Sequence, residues 1–266
     1  MKIKKERIHS TDEVLARIKQ ALQKKSGLSL ARLASGEALV LAHNKIIPLS
    51  RIPWWVEYAG VELPNEKARH LLLTAIATAD IVGISTDYAH WESAPLLDLV
   101  LTAYKAKPKY ITSSTINWHL HYQDRLYKAL GHEPTVLVGR MAKAALPCLR
   151  RKGVNLVYTE DLEGLEDLPR AENALLARPY FRVALVAAGI PATILCPRLA
   201  KKLRCVAIDY GHVINDLVQP GFTVNDLDRT KKDWLQRKKP PQSGERRDPA
   251  RPNTRFSPNP KGSSSA

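Results

Sequence analysis

Cysteine is scarce: Cys148, Cys196 and Cys205 stand singly in apolar surroundings, with no CxxC and no paired spacing. That leaves no support for a disulfide framework or a thiolate metal site, and assigns all three to small buried positions. Long apolar runs are also missing. A stretch such as Phe181 to Ala188 falls far short of the roughly 20 residues of a membrane helix, and the Lys-rich start lacks the apolar segment of a secretory signal. The chain therefore reads as a soluble, cytoplasmic protein without a transmembrane segment. The fingerprints GxGxxG and GxxxxGK[ST] are absent as well, so neither a dinucleotide site nor a P-loop is indicated. There is no internal repeat.

What is present is a 266-residue chain, 44% hydrophobic, with a formal net charge of +15. The charge is uneven. From Arg229 onward, eleven Lys/Arg face three Asp/Glu in a stretch rich in Pro, Ser and Gly and poor in apolar residues. Such a segment cannot bury enough surface to offset its ordering entropy, so one domain over residues 1–228 and a disordered basic tail over 229–266 are expected. The tail is suited to solvation or to an anionic partner: nucleic acid, lipid headgroups or an acidic protein.

Within the domain, Ser10-Thr11-Asp12-Glu13 forms a capping box, and Val14, Leu15, Ile18 and Leu22 continue on one helical face. A strand is expected at Leu28–Leu33, then a turn at Ala34–Gly36 and an apolar Ala38–Ala42. Residues from Lys45 to Pro64, with Trp54-Trp55, lack periodicity and read as an irregular excursion. A helix over Asn65–Ala79 leads to a strand at Asp80–Ile84, helical pattern returns around Pro95–Tyr104, and a short strand follows at Lys109–Thr112. The second half carries β-branched apolar runs at Thr135–Val138, Val154–Tyr158, Val183–Val186 and Cys205–Ile208, separated by helical segments. Continuously apolar strands alternating with helices predict an α/β fold, a Rossmann-like, mostly parallel sheet flanked by helices, with its site beyond the carboxyl ends of the strands.

The chemistry-bearing residues cluster at those ends. Gly139-Arg140 and Gly189-Ile190-Pro191 are strand–glycine–helix turns compatible with a phosphate, and Arg140 adds a bidentate donor. Asp209-Tyr210-Gly211-His212 puts a carboxylate and an imidazole after the last strand, fit for proton transfer or phosphate contact. Arg32 and Glu37 flank the first turn, while Thr115, Asn117 and His119 offer neutral hydrogen bonds to a polyhydroxylated ligand. His119 and His121 find no further ligand for zinc. Trp54-Trp55 is suited to stack on a sugar or to anchor its loop.

The order of these segments resembles the bacterial GT-D-fold glycosyltransferases. Three blocks carry the likeness: Ser29–Glu37, similar to the family's R-x-G-D-G-E segment with its D-x-E motif; Val136–Gly139; and Ala184–Gly189 through Leu199–Lys202 to Ala207–His212, similar to its A-x-D-x-G-H ending. The resemblance implies transfer of a sugar from a nucleoside diphosphate donor, UDP-linked, to an acceptor hydroxyl. Its blocks point to catalysis by Glu37, Asp209 and His212 and to donor binding by Arg32, Ser35, Gly36, Gly139 and Gly189, and the strand-end turns read above add Thr115, Asn117, Arg140 and Pro191 to the donor site. The resemblance also implies Mn²⁺ or Mg²⁺ at Glu37. The sequence departs from the family at Ala34 and Ser35, where a glycine and an aspartate are expected. Three readings follow: a weaker metal site, leaving-group stabilisation by Arg32, Arg140 and helix amino termini, or a non-catalytic nucleotide- or sugar-binding protein.

Overall fold

The computed structural model describes residues 9–85, 93–178, 180–222, 226 and 228–233. Most of the expected tail lies outside these residues. Seven strands form one sheet in the order β3-β2-β1-β7-β6-β4-β5, every pairing parallel. They are β1 (Leu28–Leu33), β2 (Ile81–Ile84), β3 (Tyr110–Ser113), β4 (Thr135–Val138), β5 (Leu156–Glu160), β6 (Val183–Val186) and β7 (Val206–Asp209).

Alternate strand residues feed two cores. Ala31, Leu33, Val82 and Ala207 join the core beneath α2 (Ser35–Ala42), α3 (Glu66–Thr78), α4 (Ser93–Ala103), α8 (Leu168–Leu176) and α9 (Ile190–Leu203). Leu28, Leu30, Leu137 and Ile208 join the other, beneath α1 (Thr11–Gln23), α5 (Ile116–His121), α6 (Arg125–Leu130), α7 (Ala142–Arg151) and α10 (Val213–Val218). With both faces covered, the central strands can be apolar throughout, which is the pattern in the sequence. The opening capping box forms as read: Ser10 Oγ accepts the Glu13 N–H, and Glu13 returns a carboxylate to the Ser10 N–H at 2.7 Å.

One strand is displaced from its expected position. β5 begins at Leu156, two residues beyond the start of the Val154 run, because Gly153 and Val154 turn the chain out of α7. As an edge strand it exposes Val157 and ends on the buried Glu160. Residues 45–64 cross the carboxyl edge of the sheet as two short 3₁₀ turns, Leu49–Arg51 and Trp54–Val56. Among the described residues no helix is long and apolar enough to cross a membrane, and the three cysteines are free.

Neighbouring β1 and β7 send their following helices, α2 and α10, into opposite cores. A crevice opens between such strands at their carboxyl ends.

Candidate functional site

At this junction Arg32 projects from β1 and spends its donors inside the protein. Nε–H donates to the Asp209 carbonyl at 3.1 Å, one terminal nitrogen to the Ser114 carbonyl at 3.0 Å, and the other to the Asp209 carboxylate at 2.9 Å. The guanidinium thus ties together the ends of β1 and β7 and the turn after β3. Gly211, at φ +54°, lies against it, and a Cβ there would overlap the guanidinium. Asn117 adds a second tie, its amide donating to the Tyr210 carbonyl at 3.0 Å, while its Oδ1 is buried without a hydrogen-bond partner.

Glu37 and Asp209 are both buried, 7% and 2% exposed. Glu37 reaches back to the start of α2, accepting the Ala34 N–H at 2.9 Å. Between the two carboxyls sits Thr193 of α9, whose hydroxyl donates to the Arg32 carbonyl at 2.9 Å and lies 3.4 Å from Glu37 Oε1 and 3.3 Å from Asp209 Oδ2. Burial pushes the Glu37 carboxyl up, and the Asp209 charge adds to this. Burial also raises Asp209, against the opposing pull of Arg32. The carboxyls expected to do chemistry therefore face inward and hold the junction together.

The other expected residues gather on the far side of the crevice, where residues 54–60 lie over the ends of β4 and β6. Gly189 (φ +61°) passes so close to Ala59 that a Cβ would overlap its carbonyl, and that carbonyl takes the Ile190 N–H at 2.8 Å. Pro191 packs on Gly60. The amino end of α9 is thereby capped by protein. Gly139 (φ +134°) is required for an equally close approach to the Ala187 carbonyl. Arg140 donates to the Tyr58 carbonyl at 2.6 Å and lies 4.4 Å from the centroid of the Tyr58 ring.

His212 links the two sides. Its ring parallels Tyr58 at 6.4 Å, and its Nδ1 stands 3.3 Å from Asn215 Oδ1. The residue is exposed to solvent. Desolvation by the neighbouring protein atoms, with the positive charges of Arg32, Lys231 and Arg140, lowers its pKa to about 4. Lys231 comes from a helical turn over 228–233, within the segment expected to be tail, and lies 4.8 Å from the Trp55 ring centroid. Thr115 and His119 stand apart at the start of α5, where the Thr115 hydroxyl bonds to Ser113 and approaches His119. Ser35 and Gly36 open α2, with Gly36 packed beside Ala59 and Ile190.

Sequence reasoning missed Tyr58, Thr193 and Lys231. Thr193 is a single hydroxyl in the apolar run of α9, Tyr58 sits in an aperiodic segment, and Lys231 is one of many basic residues near the end.

The donor chemistry does not fit a divalent cation. Ser35 replaces the expected carboxylate, Glu37 is buried with a raised pKa, and Asp209 is paired with Arg32. Among the described residues no three His, Cys, Asp or Glu side chains converge on one point.

A family model described as the GT-D fold-like domain matches residues 9–217. No curated protein matches the sequence. Similar solved structures include a glycosyltransferase (DUF1792) from Streptococcus sanguinis, 15% identical with a TM-score of 0.54 over 84% of this chain and 83% of the other. A second is a selenomethionine structure of domain of unknown function 1792, 14% identical with a TM-score of 0.55 over 87% and 82%. A third, of the same domain and described as having a distinct glycosyltransferase fold, is 15% identical with a TM-score of 0.55 over 87% and 82%. At these identities the likeness is one of fold.

Proposed function

The chain belongs to the family of GT-D fold-like domains, and on that premise we propose that it transfers a sugar from a nucleoside diphosphate donor, UDP foremost, to an acceptor hydroxyl at the crevice between β1 and β7. The observation that carries the reading is the stack at the carboxyl edge, where Arg140 lies 4.4 Å from the Tyr58 ring centroid and that ring parallels His212 at 6.4 Å, with Lys231 on Trp55 at 4.8 Å. Cations beside aromatic faces favour a diphosphate and the charge that grows on it as it departs.

In this reading Arg140 and Lys231 stabilise the leaving diphosphate without a metal, and Arg32 holds the crevice floor. His212 is the base. With its Nδ1–H donated to Asn215 Oδ1, Nε2 is left as the acceptor. A bound diphosphate offsets the three cations and so raises the basicity of His212. The acceptor oxygen then attacks the anomeric carbon, the bond from that carbon to the diphosphate oxygen breaks with its electron pair on the diphosphate, and the acceptor proton passes to Nε2. Trp55 and Tyr58 supply aromatic faces beside the donor. The assignment of Asp209 as a proton acceptor is not retained, since its carboxylate is buried and paired with Arg32 at 2.9 Å.

The inward-facing Glu37 favours a second reading, a domain that binds a nucleotide sugar without turnover. One experiment separates them. UDP and a panel of UDP-sugars, with and without Mn²⁺, are tested for a rise in melting temperature and for UDP release. Transfer predicts both effects, independent of Mn²⁺, and about tenfold weaker binding in Arg140→Ala and Lys231→Ala. Stabilisation without release supports the binding protein. No response to any sugar nucleotide overturns both.

A further inference from the structure

A second concavity of about 530 Å³ lies on the opposite face of the sheet from α9, within the size range of small-molecule sites. Trp118, His121, Tyr122, Asp124, Lys152 and Asp216 line it, from α5, the turn after it, the end of α7 and α10. A smaller hollow of about 360 Å³ shares His121, Lys152 and Asp216 and extends it toward Leu217 and Pro220. None of these side chains belongs to the crevice described above.

Three features define what such a trough accepts. Its charged groups are engaged within the wall: Lys152 pairs with Asp124 at 2.7 Å, and Asp216 stands 3.2 Å from His121 Nε2, an imidazole whose pKa burial lowers. An ionic ligand would have to break the Lys152–Asp124 pair or displace His121 from Asp216. Its apolar contribution is aromatic: the Tyr122 ring is 67% exposed at the rim, and Trp118 stands edge-on to His121 at 6.4 Å. Flat apolar faces beside a ring of hydroxyl-bonding groups match a pyranose, which presents C–H bonds on its faces and hydroxyls on its edge.

The wall is also fixed in advance. His121 is held from behind by the Tyr127 hydroxyl at 2.6 Å, and Tyr127 bonds in turn to Tyr210, the residue after β7. The rim carries consecutive residues in the left-handed region, Gln123 and Asp124, both at φ +56°. Non-glycine residues rarely adopt that conformation, and it recurs at ligand clamps.

We propose that this trough is a carbohydrate site that takes a pyranose unit of an uncharged saccharide between Trp118 and Tyr122. The assignment does not depend on what the crevice binds, and the two are separable by experiment. The full chain is titrated with maltotriose, cellotriose, chitotriose and mannotriose, and followed by saturation-transfer NMR and tryptophan fluorescence, with and without saturating UDP. The expected result is saturable binding of at least one trisaccharide, unaffected by UDP and at least tenfold weaker in Tyr122→Ala. Tyr122 is exposed, so its truncation spares the core, and Trp118→Leu keeps an apolar side chain while removing the aromatic face. Absence of binding by all four sugars up to about 10 mM, binding unchanged in both variants, or displacement by UDP would each overturn the proposal.

Discussion

Asp209, at the end of β7, receives the Arg32 guanidinium twice, through its carboxylate at 2.9 Å and its own carbonyl at 3.1 Å, so that one side chain of β1 fixes both the backbone and the side chain of its neighbour. Removing one partner of a buried pair leaves the other charge uncompensated. Arg32→Met should therefore lower the free energy of unfolding by about 3–5 kcal/mol in urea denaturation. Arg32→Met combined with Asp209→Asn should cost clearly less than the sum of the single changes. Strict additivity would mean the two groups do not interact.

Glu37 follows the opposite electrostatic logic. A carboxyl with a raised pKa favours the fold while neutral, an advantage present below the unfolded pKa and lost as pH rises through the folded value. Glu37→Gln keeps an acceptor for the Ala34 N–H and carries no charge. Thermal melts at pH 7 should find it as stable as the wild type or more so, with the difference shrinking as pH falls. Glu37→Ala loses the cap and should cost about 1 kcal/mol.

His212 sets a second pH window with the opposite sign. Its pKa is lowered to about 4, so its contribution is complete above the ordinary imidazole value of about 6.5 and is lost as pH falls toward about 4. Melting temperatures measured through that range should fall more steeply for the wild type than for His212→Gln. Parallel curves would mean that the imidazole does not sense Arg32, Arg140 and Lys231.

The missing carboxylate can be restored. Ser35 is the first residue of α2, where an acidic side chain suits the helix dipole, so Ser35→Asp should fold. In thermal shift assays with UDP, Mn²⁺ should add nothing to the wild type and should stabilise Ser35→Asp. A Mn²⁺ response in the wild type that Glu37→Gln abolishes would restore the expected metal role of Glu37.

Much of the fold is legible in the sequence, because buried parallel strands must be apolar along their whole length and the runs at Thr135, Val183 and Cys205 are unmistakable. The edge strand β5 is less so: Val157 faces solvent, and the run beginning at Val154 shifts by two residues. The site is legible as a location, since Arg32, Arg140, Gly189, Asp209 and His212 all reach the carboxyl edge. Their roles are not. Whether a guanidinium faces a phosphate or a carbonyl depends on groups up to 177 positions away, as between Arg32 and Asp209. The glycines at 139 and 189 read as phosphate turns, yet the Ala187 and Ala59 carbonyls explain them.

Lys231, seated on Trp55, places the start of the basic C-terminal segment beside the mouth of the crevice. Anything captured by the residues that follow is thereby tethered near His212, and tethering replaces a search through solution with a high effective concentration. If the crevice transfers a sugar as proposed, an anionic acceptor held there would meet the donor far more often than its bulk concentration implies, and removing residues 234–266, which leaves Lys231 in place, would raise the acceptor KM while leaving the turnover of saturated protein intact.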